Sequence, residues 1–109
     1  MATPTDPAKL GLSPEVVAAL QNELARTPNL QQAQVYGSRA KGNYRTGSDI
    51  DMALFGADLS PQHLLALENR LDDLLLPYQI DLCHFDTLQN PALIDHIQRM
   101  GITIYTHLT

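Results

Sequence analysis

Asp49 and Asp51 flank Ile50 at the head of an apolar run that ends at Phe55. Side chains alternate along a strand, so both carboxylates turn to one side while Ile50 and Met52 turn to the other. Residues two apart on a strand are roughly 6–7 Å apart at the backbone. Their carboxylates repel and raise each other's proton affinity unless a cation lies between them. Mg2+ suits that position, because it takes hard oxygen ligands and is held by one or two carboxylates together with a substrate's phosphates. A third acid, Asp81, is embedded in another apolar stretch, Tyr78 to Phe85. Three carboxylates on neighbouring strands would make a two-metal phosphoryl-transfer site, with Asp81 holding a second ion and taking the proton of an attacking hydroxyl. Each acid alone has a plainer reading. An Asp-x-Asp pair can begin a strand at a solvated edge, and Asp81 can pair with a nearby base.

Gly37-Ser38 supplies the complementary half of that chemistry. It follows the short strand pattern Gln34-Val35-Tyr36 and opens one helical turn, Ser38 to Lys41. Such a junction presents backbone N–H groups to a phosphate. Glycine lets backbone approach a ligand closely, and the Ser38 hydroxyl can donate to a phosphate oxygen; a simple N-cap serine is the alternative. Arg39, Lys41 and Arg45 lie within seven positions of one another and form a local cationic patch. The stretch is no Walker loop, since Asn43-Tyr44 follow Gly42 where Lys-Ser/Thr is required, and no Gly-x-Gly-x-x-Gly fingerprint is present.

Composition narrows the class. A chain of 109 residues with 44 % apolar content fits one folded domain. Seven Lys and Arg against twelve Asp and Glu leave a net charge of −5, which disfavours general DNA or RNA binding. A cationic patch on an acidic protein suits a small anionic ligand. The single cysteine, Cys83, cannot form an internal disulfide, and no signal-peptide pattern or membrane-length apolar run is present, so a cytoplasmic location is expected. His63, His84, His96 and His107 lack metal-ligand spacing and are read as structural or surface residues.

The elements that would position these residues follow from caps and periodicity. Residues 1–12 read as a loose lead-in, and 13–109 as the domain. Ser13-Pro14-Glu15 marks a helix start with Val16, Val17, Leu20 and Leu24 at helical spacing, ended by Thr27-Pro28-Asn29. Asp49 to Phe55 form a second strand. Ser60-Pro61 starts a helix whose apolar stripe is Leu64, Leu67, Leu71, Leu74 and Leu75, stopped by Pro77. Tyr78 to Phe85 form a third strand, Thr87 to Met100 a helix capped by Gly101, and Ile102 to Tyr105 a fourth strand. The order predicts an α/β (α+β) fold, a small mixed sheet of about four strands with helices packed on it. The Leu74-Leu75-Leu76 run is wider than one buried face needs, which leaves room for a partner to cover part of it.

Gly37-Ser38, ten residues, then Asp49-Ile50-Asp51 resembles the Gly-Ser-x10-Asp-x-Asp signature of the DNA polymerase beta-like nucleotidyltransferases. The fuller run Gly-Ser-Arg-Ala-Lys-Gly-x5-Ser-Asp-Ile-Asp is similar to the smallest branch, the minimal nucleotidyltransferases. The likeness spans about residues 30–106. It implies that Gly37, Ser38, Arg39, Lys41 and Ser48 hold a nucleotide triphosphate, and that Asp49, Asp51 and Asp81 bind Mg2+ and form the catalytic set. Some minimal members do not use the third carboxylate. Many members neutralise a HEPN-domain ribonuclease toxin encoded beside them, some by transferring AMP from ATP to a tyrosine of the toxin. The expected activity is therefore protein adenylyl transfer by an antitoxin, in a heteromeric complex or a homo-oligomer. The rival from another class is a nucleotide-binding subunit that silences its partner by covering it. Transfer to a small molecule is a third possibility, weakened by the lack of a substrate domain.

Overall fold

The computed structural model describes residues 7–45 and 47–107. Its centre is a four-stranded mixed sheet in the order β3-β2-β1-β4. β1 is Gln32–Tyr36, β2 Ile50–Phe55, β3 Ile80–His84 and β4 Ile102–Thr106. β1 runs antiparallel to β2 and β4, while β2 and β3 are parallel. A parallel pair needs a crossover connection, and helix α4, Pro61–Asp72, provides it.

Two further helices complete the layers, α2 at Pro14–Ala25 and α5 at Pro91–Met100. Each of the three long helices begins with a polar cap followed by proline. Ser13 accepts from the Val16 N–H, Asn90 from the Ala92 and Leu93 N–H groups, and Ser60 forms a reciprocal capping box with His63. Val17, Leu20 and Leu24 of α2 and Leu67 and Leu71 of α4 bury against Val35, Ile50, Met52 and Leu54 of the sheet. Ala53 alternates to the opposite face, where α5 packs on β1.

The differences from expectation are local. Of the presumed lead-in, residues 1–6 lie outside the described residues, but Pro7–Leu10 forms a helical turn, α1, and Leu10 and Leu12 are buried. Two leucines with a core to cover are better packed than solvated. β1 begins at Gln32, β2 at Ile50 with Asp49 just before it, and β3 is shorter at both ends. The last helix starts at Pro91, because Phe85–Thr87 form a separate 3-10 turn. Leu75 departs from the buried stripe: beyond the end of α4 it adopts φ 55° and is 87 % exposed. Among the described residues no helix is long and apolar enough to cross a membrane.

Candidate active site

Strand register brings the acids together. Asp51 pairs with Tyr36 on β1 and with Asp81 on β3, so these three share one face at one end of the sheet. β1 ends there, and the chain turns at Gly37 into α3, Ser38–Lys41. Gly37 has φ 76° and ψ −149°, a conformation open to glycine and strained for other residues. A Cβ at Gly37 would collide with Oδ2 of Asp51. The turn and the acid are thus in direct contact, and only a residue without a side chain fits between them.

Burial pushes the Asp51 carboxyl above the usual carboxylate range, and the charges of Asp81 and Asp49 push it further. Asp49 and Asp81 are exposed, and Asp81 accepts a hydrogen bond from Gln79 at 3.3 Å. Beside them the Tyr36 hydroxyl donates to Cys83 Sγ at 3.6 Å. Burial raises both of those groups, so phenol and thiol stay protonated. His96 comes from α5: its Nε2 accepts the Gly37 N–H at 3.0 Å, and its ring meets Tyr36 edge-on with centroids 6.0 Å apart. His96 has no metal-ligand spacing in the sequence, and its contact with the turn is one that spacing does not show. The usable signal was its place among Leu93, Ile97 and Met100, one polar side chain on the apolar stripe of a helix.

The basic residues divide. Arg39 is 1 % exposed. Its Nε and one terminal nitrogen donate to the Ser48 carbonyl at 3.2 and 2.8 Å. The other donates to the carbonyls of Leu10 and Gly11 at 2.8 and 3.3 Å. The rings of Tyr78 and Tyr44 cover it at 4.8 and 5.3 Å. Its donors are engaged by backbone carbonyls, a structural role that the motif alone does not suggest. Ser48 is likewise turned into the loop, its hydroxyl accepting the Arg45 N–H at 2.7 Å. Lys41 and Arg45 are exposed.

The family model "Polymerase beta, Nucleotidyltransferase" matches residues 18–108. The chain belongs to that family. A search of curated proteins finds no match. Solved structures similar to this nucleotidyltransferase include a toxin–antitoxin complex with AMP-PNP, at TM-score 0.68 and 24 % identity over 84 % of this chain and 73 % of that one. The complex of tri-AMPylated Shewanella oneidensis HEPN toxin with its MNT antitoxin aligns at TM-score 0.56 and 21 % identity, covering 85 % of this chain and 68 % of that one. A nucleotidyltransferase-like protein from Sulfolobus solfataricus aligns at 0.52 and 17 %, covering 84 % and 77 %. At these identities the shared property is the fold, a four-stranded mixed sheet with helices of the polymerase beta type.

The same cluster bears on a metal. Among the described residues no three Asp, Glu, His or Cys side chains gather closely enough to enclose an ion by themselves. The donors offered, Asp49 and Asp51 with Asp81 beside them, are hard oxygens, and Asp51 is held above the usual carboxylate range by burial and by the charges of Asp81 and Asp49. Both features fit Mg2+, which takes one or two protein carboxylates and completes its shell with water and phosphate oxygens.

Proposed function

We propose that this nucleotidyltransferase transfers AMP from ATP to a hydroxyl of a partner protein, with Mg2+ required, and that the partner is a HEPN-type toxin which it neutralises. The observation that carries the reading is the contact of Gly37 with Asp51, which sets the glycine turn against the acid that would hold the metal. The toxin–antitoxin complexes among the structural neighbours, one with AMP-PNP and one with a tri-AMPylated HEPN toxin, support the choice of nucleotide and partner.

In this mechanism the turn at Gly37 brings the Ser38 hydroxyl to the phosphates, and exposed Lys41 adds positive charge beside it. Asp49 and Asp51 would hold Mg2+, with Asp81 available to a second ion; when bound, the metal supplies charge neutralisation at the phosphates. The partner's hydroxyl oxygen forms a bond to the α-phosphorus, the bond to the β,γ-pyrophosphate breaks, and pyrophosphate leaves with that electron pair. Asp81, exposed and paired with Asp51 across the parallel strands, accepts the hydroxyl proton.

The test is intact mass spectrometry of the partner after incubation with the chain, ATP and Mg2+. One or more adenylyl additions are expected, and Asp49→Asn or Asp51→Asn should lower their rate at least about a hundredfold. An unmodified partner overturns adenylyl transfer. If an Asp49/Asp51 double variant still neutralises the toxin in cells, contact suffices and the steric reading replaces the catalytic one.

A further inference from the structure

The nucleotide reading leaves His96 without a role, although it touches the backbone of the phosphate turn. α5 carries it inward on a stripe with Leu93 and Ile97, the latter fully buried, so its location is fixed by packing. Nε2 accepts the Gly37 N–H at 3.0 Å across 59 residues of sequence. Accepting there requires an unprotonated Nε2, so the neutral ring carries its proton on Nδ1. Tyr36, the residue before Gly37, packs edge-on against the same ring. The imidazole therefore grips two successive residues at the point where β1 ends and the turn begins.

Gly37 needs such a grip. At φ 76° and ψ −149° it lies in a region that only glycine visits freely, and glycine is the residue with most conformational freedom to lose. The Lys41 N–H holds the Gly37 carbonyl at 3.0 Å, but no ladder partner extends past Tyr36 to hold the Gly37 N–H, since the β1–β2 pairing ends at Tyr36 and Asp51. We infer that His96 is a positioning residue for nucleotide binding, holding the Gly37 peptide so that the turn presents Ser38 to the phosphates before the nucleotide arrives. This rests on the nucleotide site proposed above and adds a residue from outside the Gly-Ser-x10-Asp-x-Asp stretch.

The full chain tests it with AMP-PNP and excess Mg2+ as the probe. His96→Leu keeps an apolar filler but no acceptor, and should bind the analogue about tenfold more weakly, the equivalent of one lost hydrogen bond. His96→Gln restores an acceptor oxygen and should recover binding to within about threefold of the natural chain. Amide exchange of Gly37 separates positioning from general stability: it should accelerate in His96→Leu while core amides such as Leu54 stay protected. Equal binding by all three chains, or weak binding by His96→Leu with Gly37 exchange unchanged, overturns the role. Should His96→Leu fail to fold, the imidazole nitrogen resonances of the natural chain decide, with a protonated Nε2 counting against the proposal. A natural chain that binds no nucleoside triphosphate at all removes the nucleotide reading itself, an outcome distinct from any change among the variants.

Discussion

Arg39 and Asp51 are charged, lie twelve residues apart and flank the same turn, yet their surroundings are opposite. Arg39 is buried with its donors on the Leu10, Gly11 and Ser48 carbonyls and its planar face covered by Tyr44 and Tyr78. Asp51 faces Asp81 and Asp49 from a half-buried position, and its carboxyl is pushed toward the protonated form. A charge whose needs are met internally serves the fold. A charge left with like neighbours stores free energy that a bound cation can release, which is how functional sites differ from structural ones.

The sharpest way to break the comparison is to remove the contact between the turn and the acid. Gly37→Ala should abolish nucleotide binding, about a hundredfold or more, because the new methyl displaces Asp51 and the backbone leaves its ψ near −149°. Calorimetric titration with AMP-PNP and Mg2+ measures the loss. Affinity within threefold of the natural chain would show that turn and acid act independently.

Arg39 comes next. Arg39→Ala strips donors from three buried or half-buried carbonyls and should cost about 3 kcal/mol in denaturant unfolding. Arg39→Lys keeps the charge but cannot bridge Ser48 and Leu10 together, so it should lose about half as much. A Lys variant as stable as the natural chain, yet impaired in nucleotide binding, would return Arg39 to the phosphate role expected from the motif.

That expectation shows what sequence can and cannot reveal. The element order, the Ser-Pro helix starts and the placing of Asp51 and Asp81 on neighbouring strands were legible, because caps and alternation are local signals. The neighbourhood of Gly37 and Asp51 was legible because their separation in sequence is short. The direction of Arg39 was not, since its partner carbonyls at Leu10 and Gly11 lie almost thirty residues earlier, in a segment read as loose. His96 was hidden for the same reason, its partner being 59 residues away. Both misses are hydrogen bonds to backbone, which leave no mark on the identity of the partner residue. Leu75 failed differently: α4 ends at Asp72, so a stripe extrapolated at helical spacing continued past the helix.

The smallest expected effect isolates the unmet charge itself. If Asp51 is held in an unfavourable environment, Asp51→Asn should stabilise the metal-free chain at neutral pH while destroying its activity. The sign follows from linkage. The folded-state pKa of Asp51 is raised above its unfolded value of 3.8, so the folded state binds the proton more tightly and the ionised form destabilises it. That destabilisation is fully present above the folded pKa. It fades as pH falls through that value and is absent below about 3.8. Asparagine, which never ionises, should therefore raise Tm at pH 7 by on the order of 1–3 °C, the gain being small because solvent still reaches the group. The advantage should shrink steadily as the buffer is taken to acid. Saturating Mg2+ and nucleotide should reverse the order, since only the natural chain gains stability from binding them. An Asn variant that is less stable than the natural chain at neutral pH without metal would mean that Asp51, like Arg39, has partners that satisfy it, and the contrast between the two charges would fall.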